Sequence, residues 1–280
     1  MLVAVAQFEP KLGEIQRNIS RIVASLEEAS AAGARLIVFP ECAVTGYVLN
    51  SPDEAMAVAQ EMPGPTTEVL EEACARLDTY AVCGVLVRDG DTLRNRALLV
   101  GPHGLVGHYD KSHIPFLGVD RFVTAGSAPL VPFDTPIGRI SIEICYDLRF
   151  PEVTRAHALA GAEIIAHPTN WPVAVRSNAE FMPCCRALEN RVFVLTANRV
   201  GAERNAEFCG WSQIADITGS RLAEADATSD ALLLADIDLA QAREKDLVPK
   251  PGEYEISLFR DRRPDLYGAL AEEPIVVNQR

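Results

Sequence analysis

Three side chains in this sequence sit directly after apolar, strand-like runs, where reactive groups are commonly displayed. Phe39-Pro40-Glu41 puts a carboxylate after one such run, Tyr109-Asp110-Lys111 puts an ammonium after a second, and Ile142-Glu143-Ile144-Cys145 puts a thiol after a third. In sheet-based α/β enzymes, sites gather where strands end and loops begin. A thiol with an ordinary pKa near ~8.5 is mostly protonated at neutral pH, and it needs a base or a cationic neighbour to become a nucleophile. Taken singly, each residue also has a plain structural reading: a solvated or capping Glu, a surface Lys, a small buried Cys. Only their arrangement in space separates the two readings.

The elements that must position them follow from periodicity. Residues 2–6 form a short apolar run, and Ile15, Ile19, Ile22, Val23 and Leu26 then recur at helical intervals up to Gly33. Residues 36–39 are a β-branched run stopped by Pro40. This is a β-α-β start whose continuous apolar runs suggest strands covered on both faces. Further along, the pattern predicts a helix over 65–77, a hairpin of 81–87 and 96–100 around Asp89-Gly90-Asp91, and a strand over 137–144. It then predicts a short helix over 153–159, a strand at 164–166, a helix over 178–190, and strands at 192–197, 211–216 and 231–237. Hairpins mixed with βα units predict mixed sheets. No repeat, linker or composition break divides the chain, so one domain is expected over 1–255. A charged, Pro-broken tail over 256–280 is expected to pack on the body or on a partner subunit.

Composition narrows the function. The 280 residues carry 26 Lys and Arg against 39 Asp and Glu, a net charge of −13. An acidic surface repels phosphate backbones and anionic lipid, which argues against nucleic acid and membrane partners. No apolar run approaches the ~18 residues of a membrane helix, and the N-terminus lacks a basic signal-peptide start. The seven cysteines are odd in number, irregularly spaced and without a CxxC pair. Reduced thiols in a cytoplasmic protein without a structural metal are the expectation.

The three segments resemble the nitrilase superfamily of carbon–nitrogen hydrolases. The matching motifs are Phe39-Pro40-Glu41 with Thr45-Gly46-Tyr47, Tyr109-Asp110-Lys111-Ser112-His113, and Ile144-Cys145-Tyr146-Asp147-Leu148-Arg149-Phe150-Pro151-Glu152. Asn170-Trp171-Pro172, Arg186-Ala187-Leu188-Glu189-Asn190, Asn198-Arg199-Val200-Gly201 and Gly210-Trp211-Ser212 extend the similarity, which runs from residue 3 to about 267. The resemblance implies a four-layer α-β-β-α sandwich of two mixed sheets, usually dimerised through helices. It implies Cys145 as nucleophile, Glu41 as base and Lys111 as the cation beside the developing oxyanion, with the backbone N–H of Tyr146 as a second donor. No cofactor is implied. The segment after Cys145 is more similar to the amidase and Nit-like branches, so the expected substrate is a small amide, ω-amide or N-carbamoyl compound. A small nitrile, or a catalytically silent binding role on the same fold, is the alternative.

Many members carry a second glutamate after the lysine. Here Asp120 is the nearest acid, and Glu143 is the other candidate because strand alternation puts it on the face of Cys145. Asn170 and Trp171 are candidates for the pocket lining. Arg149, Arg176 and Arg199 are candidates for holding a substrate carboxylate. His113 and His167 invite a Cys–His reading that the family does not use. Cys184 and Cys185, on a helix with Phe181 and Leu188, are expected in the core, and Arg186 with Glu189 is expected to pair on one helix face.

Overall fold

The computed structural model describes residues 1–272. Strand β1 (Leu2–Gln7) lies parallel to β2 (Leu36–Val38), and β2 parallel to β3 (Tyr80–Asp89). Helix α1 (Ile15–Ala31) crosses between the first two strands, while α2 (Pro52–Val58) and α3 (Pro65–Leu77) cross between the second and third. The hairpin strands β4 (Thr92–Gly101) and β5 (Gly104–Asp110) continue the sheet antiparallel.

A second sheet begins with β6 (Phe133–Thr135) and β7 (Gly138–Ile142). After α4 (Pro151–Leu159) comes β8 (Ile164–Pro168), and after α5 (Arg176–Asn190) comes β9 (Phe193–Ala197). Strands β7, β8 and β9 are parallel. A short ribbon, β10 (Ala202–Glu203) with β11 (Ala206–Glu207), precedes the antiparallel β12 (Gln213–Ala215) and β13 (Arg221–Glu224). Strand β14 (Ala231–Asp236) returns to pair with β1. The orders are β14-β1-β2-β3-β4-β5 and β13-β12-β9-β8-β7-β6, each with a parallel triplet flanked by antiparallel edges.

The layers follow from which faces are apolar. Val3, Val5, Leu36, Val38, Val82 and Leu99 of the first sheet share a core with Ile140, Ile142, Ile164, Phe193, Leu195 and Ile214 of the second, so the sheets face each other. The other face of the first sheet, with Ala4, Ile37, Cys83 and Leu98, packs on Ile22 and Leu26 of α1 and Leu70 and Ala73 of α3. Helix α5 covers the second sheet over β9 and β12, and α4 packs beside α5. The architecture is the expected four-layer α-β-β-α sandwich. Strands buried on both faces read as continuous apolar runs, which is how they stood out in sequence.

The body occupies Met1–Arg243, and a second unit begins at Glu244. That unit holds α6's neighbour in sequence, the hairpin β15 (Asp246–Lys250) and β16 (Tyr254–Ser257); α6 itself (Leu239–Arg243) ends the body. The expected tail over 256–280 lies outside the described residues from 273 onward. No helix among the described residues is long and apolar enough to cross a membrane.

One expectation fails at the surface. Phe181 and Leu188 are 57% and 54% exposed, Cys185 is exposed and Cys184 is only half-buried. Helix α5 instead turns Ala179, Pro183, Arg186 and Ala187 inward. The stripe 181-185-188 has helical spacing, but it is a second apolar stripe on a helix whose sheet-facing side is already occupied.

Candidate active site

Four strand ends meet at one edge of the sandwich. Pro40, which lacks an N–H, ends the ladder after β2, and Glu41 follows with no solvent exposure. The turn lies against β3 because Gly84 has no side chain: a Cβ there would stand 2.6 Å from the Glu41 Cα and 2.5 Å from the Pro40 carbonyl. Lys111 follows β5 and is anchored by its N–H to the Asn95 carbonyl of β4 (2.9 Å). Cys145 follows β7 by three residues with φ 49°, a left-handed value that a non-glycine residue adopts only when its surroundings enforce it.

The enforcing contacts come from Asp147, in the 3-10 turn Cys145–Arg149. Its carboxylate accepts from the Ile144 N–H (3.1 Å), the Tyr109 hydroxyl (3.0 Å) and the His113 N–H (2.9 Å), and it pairs with His113 Nδ1 (2.8 Å). The nucleophile turn is thereby laced to the chain segment that carries Lys111.

Lys111 Nζ donates to Glu41 Oε1 (2.7 Å) and to Asp120 Oδ2 (2.5 Å). Asn95 Nδ2 donates to the same Glu41 oxygen (2.7 Å) and to Asp120 Oδ1 (2.8 Å), and the Tyr47 hydroxyl donates to Asp120 Oδ2 (2.8 Å). All three charged groups are buried. Burial pushes the Glu41 carboxyl above its ordinary value against the pull of Lys111, which leaves it a better proton acceptor. Burial disfavours the Lys111 ammonium, but Asp120 and Glu41 outweigh it and hold the amine protonated. Burial, then the Glu41 carboxylate, raise the Cys145 thiol; Lys111, the Thr169 hydroxyl and the Asn170 N–H act in the opposite sense. The resting sulfur is therefore a protonated thiol with a base and a cation in the same cluster.

Of the two acids the sequence offered, Asp120 joins the cluster and Glu143 does not. Glu143 Oε2 accepts from Thr154 Oγ1 of α4 (2.9 Å), on the helix side of the second sheet. The alternation argument failed because the strand ends at Ile142, and the left-handed turn at Cys145 breaks the period of two. His113 serves Asp147, and His167 Nε2 faces the Cys145 carbonyl (3.2 Å), with burial lowering its pKa to about 4. Arg199 is fully buried in an ion pair with Glu203, Arg176 lies over the Trp211 ring (3.8 Å), and Arg149 lies 6.0 Å from the Tyr146 ring. Asn170 and Trp171 follow β8 and are buried: Asn170 Nδ2 donates to the Glu41 carbonyl (2.8 Å), and the Trp171 ring lies 5.0 Å from His167. Tyr146 is the second residue of the 3-10 turn, where the first N–H groups have no partner within the turn. Among the described residues no cluster of three or more His, Cys, Asp or Glu could hold a metal.

Sequence reasoning gave no role to Asn95 or to Thr169, and Tyr47 entered only as a motif match. Asn95 lies between Arg94 and Arg96, and only its sharing of a strand face with Leu93, Ala97 and Leu99 marks it as an amide that must be buried with partners. Tyr47 also lines a cavity of about 540 Å³ with Phe116, Arg121, Pro172, Ala206 and Phe208. Its ring fits because Gly118 (φ +50°) offers no Cβ, which would stand 2.3 Å from it. Glu203, held by Arg199, accepts from the N–H groups of Tyr47 (2.9 Å) and Val48 (2.8 Å) and fixes this wall.

The family model for carbon-nitrogen hydrolase matches residues 2–246. The chain is 38% identical to a nitrilase of Pyrococcus abyssi over 95% of this chain and 98% of that one. It is 30% identical to the human omega-amidase NIT2 over 92% of this chain and 93% of that one. Its fold superposes on the crystal structure of a carbon-nitrogen hydrolase from Helicobacter pylori with a TM-score of 0.86, at 23% identity and covering 98% and 100% of the two chains.

Proposed function

The chain belongs to the carbon–nitrogen hydrolase family, and from that premise we propose that it is a thiol amidohydrolase acting on a small amide or N-carbamoyl compound through Cys145, Glu41 and Lys111. The single observation that carries this reading is the solvent-free contact of Lys111 Nζ with Glu41 and Asp120 beside the left-handed Cys145.

Glu41 takes the Cys145 proton as sulfur attacks the carbonyl carbon. Charge developing on the substrate oxygen is met by Lys111 and by the Tyr146 N–H, in a site dry enough for both to act strongly. The proton held by Glu41 passes to the leaving nitrogen. Water, activated by the same carboxylate, then cleaves the thioester. Asp120 and Asn95 act through Lys111 and Glu41 as positioning residues, and Tyr47 with Trp171 bounds the substrate.

Ammonia or amine release across a panel of small amides and carbamoyl compounds tests the reading. Cys145→Ala is expected to abolish release from every substrate that the natural chain turns over while keeping the melting temperature within a few degrees. Turnover in that variant equal to the natural chain would overturn it. The nitrilase relative favours a second reading on the same residues, and acid release from aliphatic and aromatic nitriles decides it.

The exposed stripe of Phe181, Cys185 and Leu188 on α5, with Leu159 of α4 also exposed, supports a homodimer formed through these helices. The seven thiols, none in a disulfide, support a reducing, cytoplasmic setting.

A further inference from the structure

We propose that Arg186 of α5 is a positioning residue for the reaction: its guanidinium holds the far end of the turn that carries Cys145, and so sets where the thiol and the Tyr146 N–H stand against Lys111 and Glu41. The inference rests on the amidase reading above and adds to it a residue outside the charged cluster.

A left-handed residue other than glycine keeps its conformation only when the structure around it leaves no alternative. Cys145 (φ 49°) opens the 3-10 turn Cys145–Arg149, and Asp147 fixes the entry to that turn through the Ile144 N–H (3.1 Å). The exit needs an anchor of its own, because the last carbonyls of a helical turn have no partner within it. The chain leaves the helical region at Phe150 (φ −99°, ψ 102°), and Pro151, which opens α4, brings no N–H to them. Arg186 supplies the donors. Its Nε donates to the Leu148 carbonyl (2.9 Å) and its Nη2 to the Arg149 carbonyl (3.3 Å), while Nη1 pairs with Glu189 (3.0 Å).

One rigid fork therefore spans two successive carbonyls, a geometry that a lysine cannot reproduce. Arg186 is 9% exposed and Leu148 is fully buried, so these charge-assisted bonds lie largely out of water, where they hold more strongly. The carbonyl end of a helical turn is also the end that favours a cation. The helix-face pairing with Glu189 that the spacing predicts is present, and it uses only one of the three guanidinium nitrogens. The turn is thus clamped at both ends. Asp147 ties its start to the segment bearing Lys111, and Arg186 ties its end to α5. Cys145 and Tyr146 lie between the two clamps. Attack on a carbonyl tolerates little misplacement of the nucleophile, and a shift of about 1 Å can cost about a hundredfold in rate.

The test compares the natural chain with Arg186→Lys, which keeps the charge and loses the fork, with Arg186→Met, and with Glu189→Ala, which only frees the fork. Two rates are measured: hydrolysis of propanamide, and alkylation of Cys145 by iodoacetamide followed by mass. Both Arg186 variants are expected to lose about ten- to hundredfold in kcat with KM within about threefold, and to lose a similar factor in alkylation. Glu189→Ala is expected to lose about threefold in each rate, which is what a half-exposed ion pair is worth. A kcat within about threefold of the natural chain in either Arg186 variant, or a loss carried by KM alone, would overturn the proposal and leave Arg186 as a brace for the fold. If neither Arg186 variant folds, Glu189→Ala decides, and unchanged rates there would overturn it. Failure of the amidase reading looks different: the natural chain would release no ammonia from propanamide or from the rest of the panel, while alkylation would still rank the variants.

Discussion

Lys111 holds two carboxylates in a place without water, and the titration of the whole cluster follows from that. Asp120 raises the pKa of both its neighbours: it favours the Lys111 ammonium and disfavours the Glu41 carboxylate. In Asp120→Asn both effects vanish, so the Lys111 proton is lost at lower pH and the Glu41 proton is lost at lower pH too. The bell-shaped profile of kcat/KM is therefore expected to move as a whole toward acid, with the maximum about 10- to 100-fold lower. A rate profile across the pH range, with Asp120→Glu as the conservative partner, checks this; an unmoved profile would remove Asp120 from the cluster's electrostatics. The Glu41, Lys111 and Cys145 trio was legible in sequence because each follows an apolar run in a matching motif. Asn95 was not, because its partners Glu41 and Asp120 come from segments 54 and 25 residues away.

At the level of elements, Glu143 joins β7 to α4 through Thr154, and burial pushes its carboxyl up to about 8 from an ordinary 4.5. The folded chain keeps this proton up to about pH 8, whereas the unfolded chain releases it near pH 4.5. The stabilisation is full below the unfolded value, declines as pH rises through the window between the two, and is gone above the folded value. Glu143→Gln keeps an acceptor for Thr154 and removes the titration. It is expected to flatten the fall in stability across that window and to be the more stable protein at pH 8, by on the order of a few kcal/mol. Urea unfolding midpoints at a series of pH values measure it; parallel curves for the two proteins would refute a buried protonated Glu143. Elements with a buried stripe were legible in sequence to within a few residues, α1 and α3 among them. Helix α2 was not, because only Ala55 of its seven residues is buried and its start signal is local: the Ser51 side chain accepts from the Glu54 N–H (3.1 Å). The strand expected from Trp211 begins later, at Gln213, because Trp211 sits at φ 55° and cannot join a ladder.

On the scale of the whole molecule, the four layers bury the inner faces of both sheets and leave α5 with a second apolar stripe facing outward. If that stripe is a dimer seam, Leu188→Glu places a charge opposite its own copy and separates the subunits, with the fold kept because position 188 is exposed in the single chain. Sedimentation velocity is expected to show a dimer for the natural chain and a monomer for the variant. A monomeric natural chain would rule out the seam.

The amino-acid sequence by itself determined the alternation of strands and helices, the acidic surface, and the three reactive residues with their order. These are local: periodicity, charge and motif are read within a few residues of one another. The tertiary structure alone decided which second acid joins the lysine, which way Asn170 turns its amide, that Arg199 holds Glu203 rather than a ligand, and which face of α5 is covered. Each of those depends on the distance between side chains from separate strand ends and on the dielectric they share. Neither exists until the two sheets close on each other and exclude water.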